Sequence, residues 1–381
     1  MTEPQAGAGY SGRESAARLW QELLQLGWVK GDEPEVAPAS PWYLVLLQLI
    51  AAWMAASFLL GFMTSLLLLV LDEIDTGAII GIGGFYSLLG LWLYRSPVSA
   101  AREFASQLAL AINLSGLIAL GWGLFELLDM HLSVPWYGGM ALVLALHLML
   151  ISHTPHQFIT ALGLCACGTG LLQEYGALAL APALTVLLLA LVWLTLSHWG
   201  LQYRRGRVLG YGLALWVLFI QLPYLFNGQG VSEQHAQGMD WSLLAPLLHH
   251  DWQWYLSLLL SLGVILLLGL KALAQQGLGL GSRQGALVLM AVAGVGLLSV
   301  PMAGLAAAVC VFILGLYFKE RGLICLAVLS CLLFIGGYYY SLRVDLMEKS
   351  LYLAGFGAAL LGARGLMQWS LAHKTPGGNH D

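Results

Sequence analysis

The chain has 381 residues, 59% of them hydrophobic and only 9% charged, with a mean hydropathy of +0.79 and a formal net charge of −4. Soluble domains carry about a quarter of their residues charged, so water is not the main solvent of this chain, and nothing in its charge balance suits nucleic acid as a partner. Its five cysteines all fall in apolar stretches without Cys-x-x-Cys spacing, which argues against both a disulfide scaffold and a cysteine metal site.

Residues 1–40 are polar and read as a cytoplasmic segment, not a cleaved secretory signal. Within it Ser11 and Glu14 have the spacing of a capping box. Ala16, Leu19, Trp20, Leu23, Leu24 and Leu26 then recur at helical spacing, so the pattern predicts a short amphipathic helix ending near Gly27. Lys30 to Pro41, with Gly31, Pro34 and Pro38, reads as a linker.

Residues 41–370 are expected to form the transmembrane bundle and 371–381 a cytoplasmic tail. A spanning helix needs roughly 20 mostly apolar residues. Stretches of that kind run from Trp42 to Leu71, Gly77 to Tyr94, Glu103 to Leu128, Pro135 to Ser152, Gln157 to Leu172 and Ala177 to His198. They continue from Val208 to Phe226, Trp252 to Leu270, Gln284 to Leu298, Met302 to Phe318, Gly322 to Tyr338 and Glu348 to Trp369. The expected fold is therefore all-α, a polytopic transmembrane helix bundle of about twelve spans. The least secure divisions flank Gln173 and Pro301.

Alternation fixes an orientation. With the N-terminus inside, 14 of the 16 lysines and arginines fall in cytoplasmic gaps, and only Arg343 and Lys349 fall outside. Positive charge is retained on the cytoplasmic face during insertion, so both termini are expected there. Trp and Tyr gather near the proposed ends, as at Trp42, Trp92, Tyr94, Trp136 and Trp199, where amphipathic rings favour the interface. Small residues at helical spacing, among them Gly77, Gly81 and Gly84, point to close helix packing.

Chemistry has few places to sit. Glu126 lies one turn from the outer end of the third span, with Ser115, Trp122 and Asp129 near its helical face. Its natural partners are the two outer cations, and Arg343, Asp345, Glu348 and Lys349 form the densest charged cluster beside that interface. These residues are either a polar or ion-pair site shared with Glu126 and Asp129, or helix-start charges and salt bridges. His147, His153 and His156 at an inner end, and His249, His250 and Asp251 at the outer surface, lack metal-ligand spacing; His153 and His156 flank Pro155 and read as a turn. No Walker lysine, His-Glu-x-x-His or Gly-x-Ser-x-Gly occurs, and no cofactor motif.

Three segments carry a likeness: PWYLVLLQLIAAWMAASFLLGFM from Pro41, EFASQLALAINLSG from Glu103 and GGYYYSLRVDLMEKSLYLAGFGAALL from Gly336. They resemble the bacterial integral membrane proteins grouped as domain of unknown function 4401, most specifically in the Tyr-rich approach to Glu348, Lys349 and Ser350. The resemblance implies a bacterial inner-membrane protein associated with other envelope proteins, and supplies no activity. The expected role is a non-enzymatic component of an envelope assembly, with the lipid bilayer and envelope membrane proteins as partners. The alternatives are a secondary transporter using Glu126, and a membrane enzyme working at the outer face through His249, His250 and Asp251.

Overall fold

The computed structural model describes residues 20–27, 30–31, 42–70, 75–95, 102–222, 252–275, 277, 281–300, 304–341 and seven positions between 347 and 365. Among them all regular structure is helical. In chain order the membrane-scale helices are α1 (Trp42–Val70), α2 (Thr76–Arg95), α3 (Arg102–Leu127), α4 (Val134–Leu150), α5 (Thr154–Glu174) and α6 (Ala181–Thr195). They are followed by α7 (Tyr203–Phe219), α8 (Trp252–Gln275), α9 (Arg283–Ser299), α10 (Leu305–Tyr317) and α11 (Arg321–Ser341). Single 3₁₀ turns, Leu178–Leu180 and Leu196–His198, extend α6 at both ends.

These helices fall on the predicted segments, and breaks occur near both Gln173 and Pro301. Among the described residues six stretches are long and apolar enough to cross a membrane: Leu46–Leu66, Thr76–Arg95, Phe104–Leu127, Leu178–His198, Trp252–Gln275 and Arg321–Tyr340. Shorter apolar helices cover Val134–Leu150, Gln284–Ser299 and Leu305–Tyr317. Residues 20–25 are helical, and Gly27 turns the chain with φ 70°, where that helix was expected to end. Ser11, Glu14 and most of the last predicted span lie outside the described residues.

Local chemistry sets the boundaries. Pro135, Pro155 and Pro182 occupy the first turns of α4, α5 and α6, where a missing N–H costs nothing. That placement corrects the reading of His156, which lies on α5 and not in a turn. Asp75 caps α2 by accepting from the Ala78 N–H at 2.8 Å, and Ser282 caps α9 by accepting from the Gly285 N–H at 3.1 Å.

Three helices close with Schellman bonds. Ala177 and Gly176 N–H donate to Leu172 and Gln173 O at the end of α5, Met130 and Asp129 N–H to Phe125 and Glu126 O at the end of α3, and Glu320 and Lys319 N–H to Gly315 and Leu316 O at the end of α10. Gly176 fills the left-handed position of α5 at φ 66°, whereas the other two helices place Asp129 (φ 57°) and Lys319 (φ 56°) there.

Packing divides the bundle into a group of α1 to α5 and a group of α6 to α11, joined by α5 lying along α7. The closest approach is α2 on α3. A Cβ on Gly116 would stand 2.6 Å from the Ser87 backbone N, and one on Gly83 would stand 2.7 Å from the Leu120 backbone N. These residues, with Gly90 against Asn113, are what let the two backbones meet. Gly81 and Gly84, expected at such a contact, face open space. The second group is centred on α6 and α10, where Val186, Leu189, Trp193, Cys310, Val311 and Leu314 are almost wholly buried. Trp193 lies against Tyr211 and Phe318, with ring centroids 5.8 and 5.4 Å away.

The two ends of the bundle differ. Tyr94 meets His153, Arg204 reaches Thr154, Arg207 reaches Glu320, and Gln275 donates to the Tyr317 hydroxyl, so these helix ends share one face, here termed the arginine end. At the opposite end, Gln253 Nε2 donates to the Gly176 carbonyl at 3.0 Å.

Candidate functional site

The most developed polar arrangement lies between α2, α3, α4 and α5, toward the arginine end. Asn113, His156, Gln157 and Thr160 are all fully buried. Asn113 Nδ2 donates to the Ser87 backbone carbonyl at 3.0 Å, which makes its Oδ1 the acceptor facing His156 Nε2 at 2.7 Å. His156 must therefore carry its proton on Nε2, leaving Nδ1 as a lone-pair acceptor. Among the described residues that Nδ1 is buried without a hydrogen-bond partner, as are Ser87 Oγ and Gln157 Oε1.

Aromatic and imidazole rings surround this centre. Tyr94 stands 5.2 Å from His153 and 5.8 Å from His156 between centroids, and His147 stacks on His156 at 5.9 Å. His147 Nδ1 is held by the Val143 carbonyl at 2.8 Å, a contact that makes this nitrogen the N–H donor. Gln157 Nε2 donates to Ile151 O, and the Thr160 hydroxyl donates back to the His156 and Gln157 carbonyls. The three histidines, read in the sequence as an unlikely metal set, thus sit close together as a hydrogen-bonded and stacked cluster. Among the described residues no group of three His, Cys, Asp or Glu is arranged to hold a metal ion.

Below this cluster, the segment opening α7 ties two connections, the α4–α5 turn and the α10–α11 turn. Arg204 donates to the Thr154 hydroxyl, Arg205 Nη2 to Ser152 Oγ at 2.8 Å, and Arg207 Nη2 to Glu320 Oε2 at 2.8 Å. Tyr211 adds its hydroxyl to the same Glu320 oxygen at 3.0 Å. Glu320 was not singled out in the sequence, because its position between Lys319 and Arg321 makes it look like one member of a mixed-charge loop. The Schellman bond of its own N–H holds it at the head of α11.

Of the outer residues chosen from the sequence, Glu126 and Asp129 are described, and Arg343, Asp345, Glu348 and Lys349 lie outside the described residues, as do His249, His250 and Asp251. Glu126 is in the last turn of α3, half-buried, with Oε2 enclosed and without a hydrogen-bond partner among the described residues. A carboxylate at a helix C-terminus opposes the helix dipole, so it does not serve the helix. Trp122 on the adjoining turn is 57% exposed, while the Ser115 hydroxyl is occupied by the Ala111 carbonyl. Asp129 is exposed in its left-handed position.

Two hollows accompany these groups. One, of about 40 Å³, is lined near the opposite end by Gln221, Trp254, Ser257, Ser261 and Ser299 beside Gly304. The other is a shallow apolar groove along α1, lined by Leu49, Ile50, Trp53, Met54, Ser57 and Phe58. Glu126 lines neither.

The family described as domain of unknown function (DUF4401) has a model that matches residues 41–369. No curated protein and no solved structure matches the chain.

Proposed function

The chain belongs to the DUF4401 family, and on that footing we propose that it is a bacterial inner-membrane protein of about twelve spans, with both termini cytoplasmic, acting as a non-enzymatic component of an envelope assembly. The placement of Arg95, Arg204, Arg205, Arg207, Lys319 and Arg321 toward one end supports the orientation. In a cysteine-free background, Tyr175→Cys, 72% exposed, is expected to react with a membrane-impermeant thiol reagent added to spheroplasts, and Tyr203→Cys, 47% exposed, to stay protected. Labelling of both, or of Tyr203→Cys alone, sinks the orientation.

The observation that carries the assembly role is α1. It is the least enclosed of the six long apolar stretches and packs chiefly on α3. It presents Leu47, Met54, Phe58 and Phe62 outward, each more than half exposed, beside its apolar groove. In lipid such a face is open to a second protein's helix, since association there depends on packing and not on water exclusion. A photo-crosslinking residue in place of Phe58 is expected to give a discrete protein adduct in native membranes. Adducts with lipid only, together with isolation of the chain alone from those membranes, would count against this role.

Glu126 favours a second reading, a transporter in which its enclosed oxygen is a protonatable or cation-binding group with Arg343 or Lys349 as switchable partner. Given a wild type that moves a solute into vesicles, Glu126→Gln should abolish coupled uptake. Unchanged uptake rejects it.

A further inference from the structure

The segment that opens α7 delivers two guanidinium groups to one turn. Arg204 and Arg205 each bond a hydroxyl of residues 152–154, the turn between α4 and α5. Among the described residues neither has a carboxylate within ion-pair distance, and the only ion pair is Arg207 with Glu320. Serine and threonine oxygens carry no charge, so both cations are fixed in direction and left uncompensated among the described residues. Each hydroxyl, while accepting from its arginine, keeps its own proton to donate onward.

The turn adds to the same sign. It begins the 21-residue α5, its N-cap His153 supplies no side-chain cap, and Pro155 has no N–H, so the positive end of that helix is not neutralised from within. Membrane insertion explains why arginines lie at this end of the bundle. It does not require two of them to converge on a hydroxyl-bearing turn without a counter-ion.

We propose that Arg204 and Arg205, with Ser152 and Thr154, bind the phosphodiester of an anionic phospholipid headgroup where α5 and α7 reach the bilayer surface. The reading rests on the bundle being embedded in lipid. A phosphodiester supplies the missing charge and two unesterified oxygens, which match the planar donor fork of arginine and accept from both hydroxyls. Arg204 and Tyr203 are exposed and Arg205 is half-buried, so a headgroup can enter from the side without opening the core. Arg207 is not part of the site because its charge is already matched.

The test uses the full-length protein in a nonionic detergent, titrated with phosphatidylglycerol, phosphatidylcholine or inorganic phosphate, with bound lipid counted by native mass spectrometry. Phosphatidylglycerol is expected to fill a tight site, and the Arg204→Gln/Arg205→Gln protein to bind it about thirtyfold more weakly. Lys271→Gln, which removes an exposed cation of α8 at the same end, should leave affinity unchanged within about twofold. Arg204→Lys/Arg205→Lys retains charge but not the fork and should fall between wild type and the glutamine pair. If the glutamine pair does not fold, the lysine pair and Ser152→Ala/Thr154→Val, each expected to weaken binding, decide the matter. Wild-type affinity in the variants, equal weakening by Lys271→Gln, or equal binding of phosphatidylcholine overturns the site. Saturation by inorganic phosphate without any preference for phosphatidylglycerol overturns the lipid as its ligand.

Discussion

Replacing Asn113 by alanine tests whether the buried polar cluster holds α2, α3 and α5 together. The amide is fully buried and makes two bonds, to the Ser87 carbonyl at 3.0 Å and to His156 Nε2 at 2.7 Å. Without it the His156 Nε2–H joins Nδ1 as a second unpaired buried atom on one ring. A stranded buried donor costs about 1–3 kcal/mol, while interhelical hydrogen bonds measured within membranes average nearer ~0.6 kcal/mol, because the unfolded chain in lipid also finds partners. The small cavity beside Gly90 adds to this, for a total loss of about 2–3 kcal/mol. Reversible unfolding of the purified protein by sodium dodecyl sulfate in mixed micelles would measure it. Ile118→Ala is the control, since that side chain is 73% exposed on the same helix and trades protein contact for lipid. A double-mutant cycle with His156→Leu should give a coupling of about 1 kcal/mol. The reasoning fails if Asn113→Ala costs no more than Ile118→Ala, or if the two substitutions are additive.

At the α2–α3 contact, Gly116→Ala pushes a methyl group to 2.6 Å from the Ser87 backbone and should destabilise by about 2–3 kcal/mol in the same assay, whereas Gly84→Ala meets open space and should be neutral or stabilising by up to about 1 kcal/mol. Asp129→Gly and Lys319→Gly relieve a left-handed backbone position and should each raise stability by about 1 kcal/mol, visible as a higher thermal midpoint; a loss instead would show that the side chain holds something the backbone argument omits. Arg207→Gln breaks an ion pair whose arginine side chain is 46% exposed, so its cost should stay below about 1 kcal/mol and shrink with added salt.

The helices were legible because apolar run length and punctuation by Pro155, Pro182, Gly176 and Pro301 are one-dimensional signals. So was the gathering of Arg204, Arg205 and Arg207 toward one end of the bundle. What could not be read was which face of a helix meets which neighbour. Gly77, Gly81 and Gly84 have the right spacing, yet Gly83 and Gly90 make the contact, since a glycine-rich helix offers several equivalent stripes and only the partner selects among them. The three histidines could be grouped from the sequence, but the partners that organise them were hidden for the same reason. His147, His153 and His156 gain their relation from Tyr94 and Asn113, which are distant in sequence. Glu320 could have been suspected from one signal, the lone acid in an otherwise basic loop facing the Arg-Arg-Gly-Arg segment.

The thirteen residues of α10 rise only about 20 Å, well short of the roughly 30 Å hydrocarbon layer, while the twenty-nine of α1 rise about 44 Å. The short helix is encased by α6, α7, α8, α9 and α11, so acyl chains hardly touch it. For a bundle embedded as proposed, bilayer thickness would therefore act on the rim and not on the centre. In a thicker membrane the outer rods can change their slant around a plug whose own dimensions are indifferent to the surrounding lipid.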